Sequence, residues 1–333
     1  MQAYIGHPSQ LSGVEEVALL KGKGKGMTLL QVRNGQGLDF TLVADRCMDI
    51  SRLFFKGVNI GYFSPSGYVS PAYYDPRGDG FLKSFTAGFL TTCGLTAVGS
   101  PCTDAGEDLP LHGTISHTPA EQYSIIETDT QIIIRATIRD AAIFKHQLLL
   151  ERTYRCFKTE NTLQIHDKIQ NIGAKTEPYM LLYHFNLGYP LLDADTQVAI
   201  PHHSVTGRNA HAAEDLANCL RMEPPQPDYE ERCYYYDVAA VQGTATVGAF
   251  NRTLQKGLCI AYDKASLHCF TQWKMMGVHE YVLGLEPGNC TPDGRDVLRK
   301  TKQLQFLAPG ASSEHTVTLK FTEHEEDMPC LQL

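Results

Sequence analysis

The sequence predicts an all-β sandwich. Its hydrophobic period is mostly two rather than 3.6, turn signals recur every eight to twelve residues, and long helical patterns are nearly absent. The strand-like runs are Leu38–Val43, Gln131–Thr137, His146–Tyr154, Thr162–Gln170, Tyr179–Leu187, Gln197–Ile200, Thr244–Phe250, Gly257–Tyr262, Gln272–Met276, Tyr281–Glu286 and His315–Thr322. Asn34-Gly35, Asn171-Ile-Gly173, Asp193, Pro287-Gly288-Asn289 and Pro309-Gly310 punctuate them. Ala210–Asn218 is the best short helix. No shift in composition marks a linker, so residues 1–333 are expected to form a single domain.

Composition narrows the function classes. An apolar fraction of 43% is that of a globular chain. There is no apolar run of the length a membrane span needs, about 20 residues. The net charge of −8 is dispersed and no basic block suggests a nucleic acid. The N-terminal MQAYIGHPSQ has neither the basic nor the apolar region of a signal peptide, so a cytoplasmic protein is expected. Ten scattered cysteines with no C-x-x-C then read as reduced thiols serving as small core residues.

Two strands carry ionisable groups in apolar surroundings. Tyr179–Leu192 places His184 in a run apolar on both faces, and Val282–Gly288 does the same with Glu286. Burying such groups is costly unless they have a partner or a task. A histidine and a glutamate are also the pair that acid–base chemistry near neutral pH most often uses. In the second strand Val282, Gly284 and Glu286 share one face, and Pro287-Gly288 is expected to end the strand and leave the carboxylate at its tip. The irregular stretches Ser64–Lys83 and Gly99–Pro119 are long enough to be functional loops. His202, His203 and His211 lack Cys or carboxylate partners at metal-site spacing, so no metal is expected.

Several segments, taken in order, resemble the aldose 1-epimerase (galactose mutarotase-like) superfamily. They are Ala44-Asp-Arg-Cys-Met-Asp-Ile50, Gly88-Phe-Leu-Thr-Thr-Cys-Gly-Leu95, Leu111-His-Gly113 and its continuation to Glu121, the His184 strand, and Gln272-Trp-Lys-Met-Met-Gly277 followed by Gly284-Leu-Glu-Pro287. The resemblance implies a large antiparallel supersandwich with a sugar cleft and a mutarotase that interconverts the α and β anomers of a free aldose or ketose. It implies His184 as the acid, Glu286 as the base and His112 as a sugar-binding residue. The asparagine–arginine pair that usually precedes the L-H-G motif is not recognisable; Arg46, Arg77 and Lys83 are the candidates to replace it. Trp273 and Lys274 are further candidates for substrate contact, and they point to opposite faces of one strand. Mutarotation returns both protons, so no cofactor is expected. The partner expected is a small-molecule sugar, with no nucleic acid or membrane, and exposed sandwich edges leave room for a homodimer. The alternatives are a non-catalytic carbohydrate-binding or sensing protein on the same fold, and a mutarotase or isomerase of a phosphorylated or keto sugar.

Overall fold

The computed structural model describes residues 2–332. Its largest sheet has nine strands, in the path Ala120–Glu127, Gln131–Ala141, Gln147–Phe157, Thr162–Asn171, Ser312–Thr322, Lys256–Asp263, Thr244–Asn251 and Thr196–Ala199, with Ala240–Val241 paired beside Thr244–Asn251. A seven-stranded sheet runs His202–Gly207, Arg232–Val238, Cys269–Met276, Tyr281–Gly288, Glu177–Gly188 and Gln305–Leu307, with Leu90–Leu95 also paired to Glu177–Gly188. A five-stranded sheet covers Gly13–Ala18 to Val58–Asn59. All paired strands within these sheets are antiparallel, and the two α-helices of the described residues are short, Ala210–Glu214 and Arg295–Lys300. Among the described residues no helix is long and apolar enough to cross a membrane.

Alternation decides which residues enter the core. From the long strands of the nine-stranded sheet come Ile132, Ile134, Leu148, Leu150, Leu163, Ile165, Val317 and Leu319. They belong to one cluster with Leu181, Tyr183, Phe185, Leu187, Leu283 and Leu285 of the seven-stranded sheet and with Leu30, Phe40, Ile50 and Phe55 of the five-stranded one. The even-numbered residues of the His184 strand therefore turn to the opposite face. There Met180 and Leu182 form a smaller cluster with Cys93, Val98, Cys290 and Leu298, and His184 and Glu286 stand beside it. Two separately covered faces explain why both strands read as apolar throughout.

A buried polar network sits under the His184 strand. Arg152 binds Asp167 with two nitrogens, Nε at 2.9 Å and Nη2 at 2.7 Å, and Asp49 with Nη1 at 2.9 Å. Thr92 donates to Asp49 through its hydroxyl and its backbone N–H, and the Tyr183 hydroxyl donates to Asp167. The ADRCMDI and GFLTTCGL segments thus supply Asp49 and Thr92 to a structural junction between sheets. All ten cysteines are unpaired, seven buried and three half-buried.

The expectation for Pro287-Gly288 is corrected. The strand continues through Gly288, with Phe270 opposite Pro287 and Cys269 opposite Gly288. Glu286 therefore stands inside the sheet rather than at a strand tip. Proline is tolerated there because the ladder towards the His184 strand is interrupted between the Leu182–Gly288 and Phe185–Leu285 pairs.

Candidate active site

The register that pairs Leu182 with Gly288 and Phe185 with Leu285 sets His184 opposite Glu286. Residues directly opposite in an antiparallel pair share a face. Thr91 pairs with His184 on one side, Thr271 with Glu286 on the other, and Tyr235 with Thr271 beyond it. One row across the sheet thus reads Thr91, His184, Glu286, Thr271, Tyr235. His184 Nε2 lies 3.1 Å from Glu286 Oε1, although the two are not aligned as a hydrogen bond. His184 Nδ1, Glu286 Oε1 and Thr271 Oγ1 are all buried without a hydrogen-bond partner. Such unsatisfied polar atoms are costly in a native interior, and ligands commonly complete them.

These three residues line a cavity of about 230 Å³ together with His112, Trp273, Arg208, Glu231, Cys233 and residues of the loops above. The His184 ring is enclosed by aromatic neighbours in edge-on geometry: Trp273 at 5.4 Å, His112 at 5.6 Å and Phe85 at 5.7 Å between centroids. His112 occupies a turn at φ 58°, in the left-handed region, where its N–H donates to Gly99 and its carbonyl accepts from Gly94. That backbone conformation directs its ring into the cavity and costs about 1–3 kcal/mol for a residue with a side chain. Trp273 Nε1 donates to Glu231 at 2.6 Å, which fixes the indole plane at the cavity wall.

Burial pushes both central groups towards their neutral forms. It lowers the His184 imidazole to about 4. It raises the Glu286 carboxyl well above the usual carboxylate range, with Glu231 adding to the rise and Arg208 opposing it. The same burial thus acts in opposite directions on the two titrations, and in both it favours the uncharged group. His112 is lowered to about 3 by desolvation and by the charges of His184 and Arg208, so it is a neutral hydrogen-bonding group.

Of the residues expected at the site from sequence, the cavity brings together Glu286, His184, His112 and Trp273. The basic candidates are placed elsewhere. Arg46 is buried, and its guanidinium is consumed by Ser116 O, Val69 O, Ser84 O, Thr86 Oγ1 and His117 Nε2. It ties the two long loops to each other and does not line the cavity. Arg77 is exposed and pairs with Asp75 two residues away. Lys83 is exposed and outside the lining. Lys274 points away from Trp273, is fully buried, and donates to Asn218 O with Glu223 at 3.9 Å.

Arg208 is the cation that does reach the cavity. It follows the edge strand His202–Gly207, donates from Nη2 to Ser100 Oγ at 2.7 Å and Pro292 O at 3.1 Å, and has Nε 3.5 Å from Asp293. Tyr235 Oη, from the end of the active row, donates to the same Asp293 at 2.6 Å. A lone arginine after a polar edge strand has no local signal, and only the tertiary structure places it. Among the described residues no group of three or more His, Cys, Asp or Glu is arranged to hold a metal ion.

The comparisons agree with this architecture. A candidate aldose 1-epimerase from Klebsiella pneumoniae superposes with a TM-score of 0.88 at 27% identity, over 93% of this chain and 83% of that one. A galactose mutarotase-like protein from Clostridium acetobutylicum gives 0.65 at 12% identity, over 94% and 99%. The galactose 1-epimerase from Lactobacillus acidophilus gives 0.62 at 13% identity, over 93% and 98%. None of the curated proteins matches the sequence. The family described as Domain of unknown function (DUF4432) matches residues 24–321. The chain therefore has the galactose mutarotase-like fold and belongs to the family described as Domain of unknown function (DUF4432).

Proposed function

We propose that the protein is a sugar mutarotase, interconverting the α and β anomers of a reducing sugar by opening and reclosing its ring. The observation that carries this reading is the His184–Glu286 pair, side by side at 3.1 Å in a cavity lined by an indole and an arginine. Binding alone requires neither a buried carboxyl nor an imidazole sharing its proton.

Ring opening removes the proton of the anomeric hydroxyl and delivers one to the ring oxygen as the C–O bond breaks. Burial disfavours the charged form of Glu286, which hydrogen-bond donors would stabilise. A sugar supplies them through its hydroxyls, and Arg208 contributes positive charge. On binding, the proton passes from Glu286 to His184 across their short contact. Glu286 is then the base for the anomeric hydroxyl and His184 the acid for the ring oxygen. After the free carbonyl rotates, the ring closes on its other face, His184 recovers the proton from the closing hydroxyl and Glu286 returns one to the anomeric oxygen. His112 and Arg208 hold hydroxyls and stabilise developing charge on oxygen. No net proton is gained or lost, so the cycle closes on these side chains alone.

Anomer-exchange NMR on a panel of reducing sugars tests the reading. Acceleration for one sugar, reduced about 10²–10⁴-fold in Glu286→Gln and in His184→Asn, is the expected outcome. Saturable binding without any acceleration would refute it.

A further inference from the structure

The cavity around His184 and Glu286 adjoins a second one of about 380 Å³, and Leu82, Phe85, Glu231 and Trp273 line both. Small-molecule sites usually occupy about 300–1,000 Å³. The inner cavity alone falls short of that range, whereas the outer one reaches it. The outer cavity is completed by Tyr62, Ser64, Ser66, Met275 and Glu280 among its lining. It offers aromatic and thioether surface together with two carboxylates and three hydroxyls. Among the described residues no lysine or arginine lines it. Leu82, an apolar wall residue, is 54% exposed.

This lining discriminates between ligand chemistries. A phosphate, sulfate or carboxylate in the outer cavity would face Glu231 and Glu280 with no cation to offset them. A purely apolar group would bury the Glu280 carboxylate without a hydrogen-bond donor and leave Glu231 with the Trp273 indole N–H alone. A neutral ring with hydroxyl groups satisfies both surfaces: its C–H faces pack on Tyr62, Phe85 and Trp273, and its hydroxyls donate to the carboxylates. Resting on the mutarotase reading above, we propose that the substrate is a neutral reducing disaccharide. Its reducing-end ring lies against His184 and Glu286, and its second ring fills the outer cavity. The anomeric hydroxyl must be free for ring opening, so the second sugar is attached through another hydroxyl of the first.

Trp273 is the only tryptophan of the chain and borders both cavities, so its fluorescence reports occupancy independently of turnover. The experiment titrates the wild-type protein with maltose, cellobiose, lactose and melibiose and with their reducing-end monosaccharide, glucose, alongside anomer exchange on the same sugars. At least one disaccharide is expected to bind about tenfold or more tightly than glucose, the equivalent of one well-made contact set. Ser66→Phe, which fills the outer cavity, is expected to remove that preference, and Glu280→Gln, at an exposed position, to weaken it severalfold. Glucose binding as tightly as every disaccharide overturns the proposal, as does a preference unchanged in both variants. A disaccharide preference that persists without any accelerated exchange overturns the mutarotase reading instead and leaves the outer subsite standing.

Discussion

Gly284 precedes Glu286 by two residues on the same strand face, and the Glu286 carboxylate fills the space where a Cβ of residue 284 would stand. The same added carbon would come within 2.9 Å of Trp273 Cβ. The glycine is thus part of the geometry of the His184–Glu286 pair although it contributes no functional group. Gly284→Ala is expected to displace the carboxylate from His184 and lower the anomer-exchange rate about 10²-fold, the scale associated with misplacing a reacting group by roughly 1 Å. Thermal unfolding measured alongside should show a folded protein.

The rate should be bell-shaped in pH. Below about 4 the His184 imidazole is protonated while Glu286 keeps its proton, so the pair holds one proton too many and activity falls as pH drops through that value. On the alkaline side activity is lost when Glu286 gives up the pair's last proton, well above the ordinary carboxylate value of 4.5. Initial anomer-exchange rates in kcat/KM form, measured from pH 3 to pH 10, check both limbs.

Stability should move in the opposite sense at one of these residues. The folded-state pKa of Glu286 is raised, so the protonated carboxyl favours folding below its unfolded value, and that contribution is lost as pH rises towards the folded value. Glu286→Gln has no proton to lose. Its melting temperature should exceed that of the wild type above about pH 4.5, with a gap that widens with pH up to the folded pKa. Calorimetry of the two proteins at three pH values is sufficient; equal pH dependence would contradict the assignment of a neutral Glu286.

Arg208 lowers the Glu286 pKa, so its removal should raise it further. In Arg208→Ala the alkaline limb of the rate profile is expected to shift upward, and kcat/KM to fall about 10–100-fold through lost charge-assisted contacts. Arg208→Lys should restore the position of the limb more fully than it restores KM, because it returns the charge without the planar fork.

Arg152 belongs to the scaffold beneath the site. Arg152→Met leaves Asp49 and Asp167 buried with no cation between them and should destabilise the protein by about 3–5 kcal/mol. Denaturant unfolding measures this directly.

The strands that carry the chemistry were legible because their pattern is strong. Tyr179–Leu187 and Tyr281–Glu286 fall within the observed Glu177–Gly188 and Tyr281–Gly288. Leu90–Leu95 carries no period-two signal, because its LTTCGL sequence is buried at every position and shows no alternation. Asp49–Phe55 and Arg232–Val238 also escaped, the first interrupted by Ser51 and Arg52, the second an edgeward run of three tyrosines flanked by charge. At the site, His184, Glu286, His112 and Trp273 were visible from their local contexts. Arg46 was visible too, but a strand-end arginine among aspartates reads the same whether it binds a ligand or ties loops together, and five protein acceptors claim it here. Arg208 was invisible because its role depends on Ser100, Pro292 and Asp293, which are about 85 to 110 residues distant in the chain.

His184 and Glu286 stand on two neighbouring interior strands, whereas Phe81, Leu82, Phe85, His112, Arg208, Glu231 and Pro292 reach the cavities from outside those strands, mostly from loops. Under the proposed mutarotase reading, reaction and recognition are thus separately heritable. Chain segments such as Ser64–Phe85 can drift, lengthen or be exchanged without disturbing the hydrogen-bonded ladder that spaces the two reacting groups. If the proposed activity holds, a lineage built on this plan can diversify in the sugars it accepts while its chemistry stays fixed, and grafting that segment between family members should transplant preference rather than create or abolish turnover.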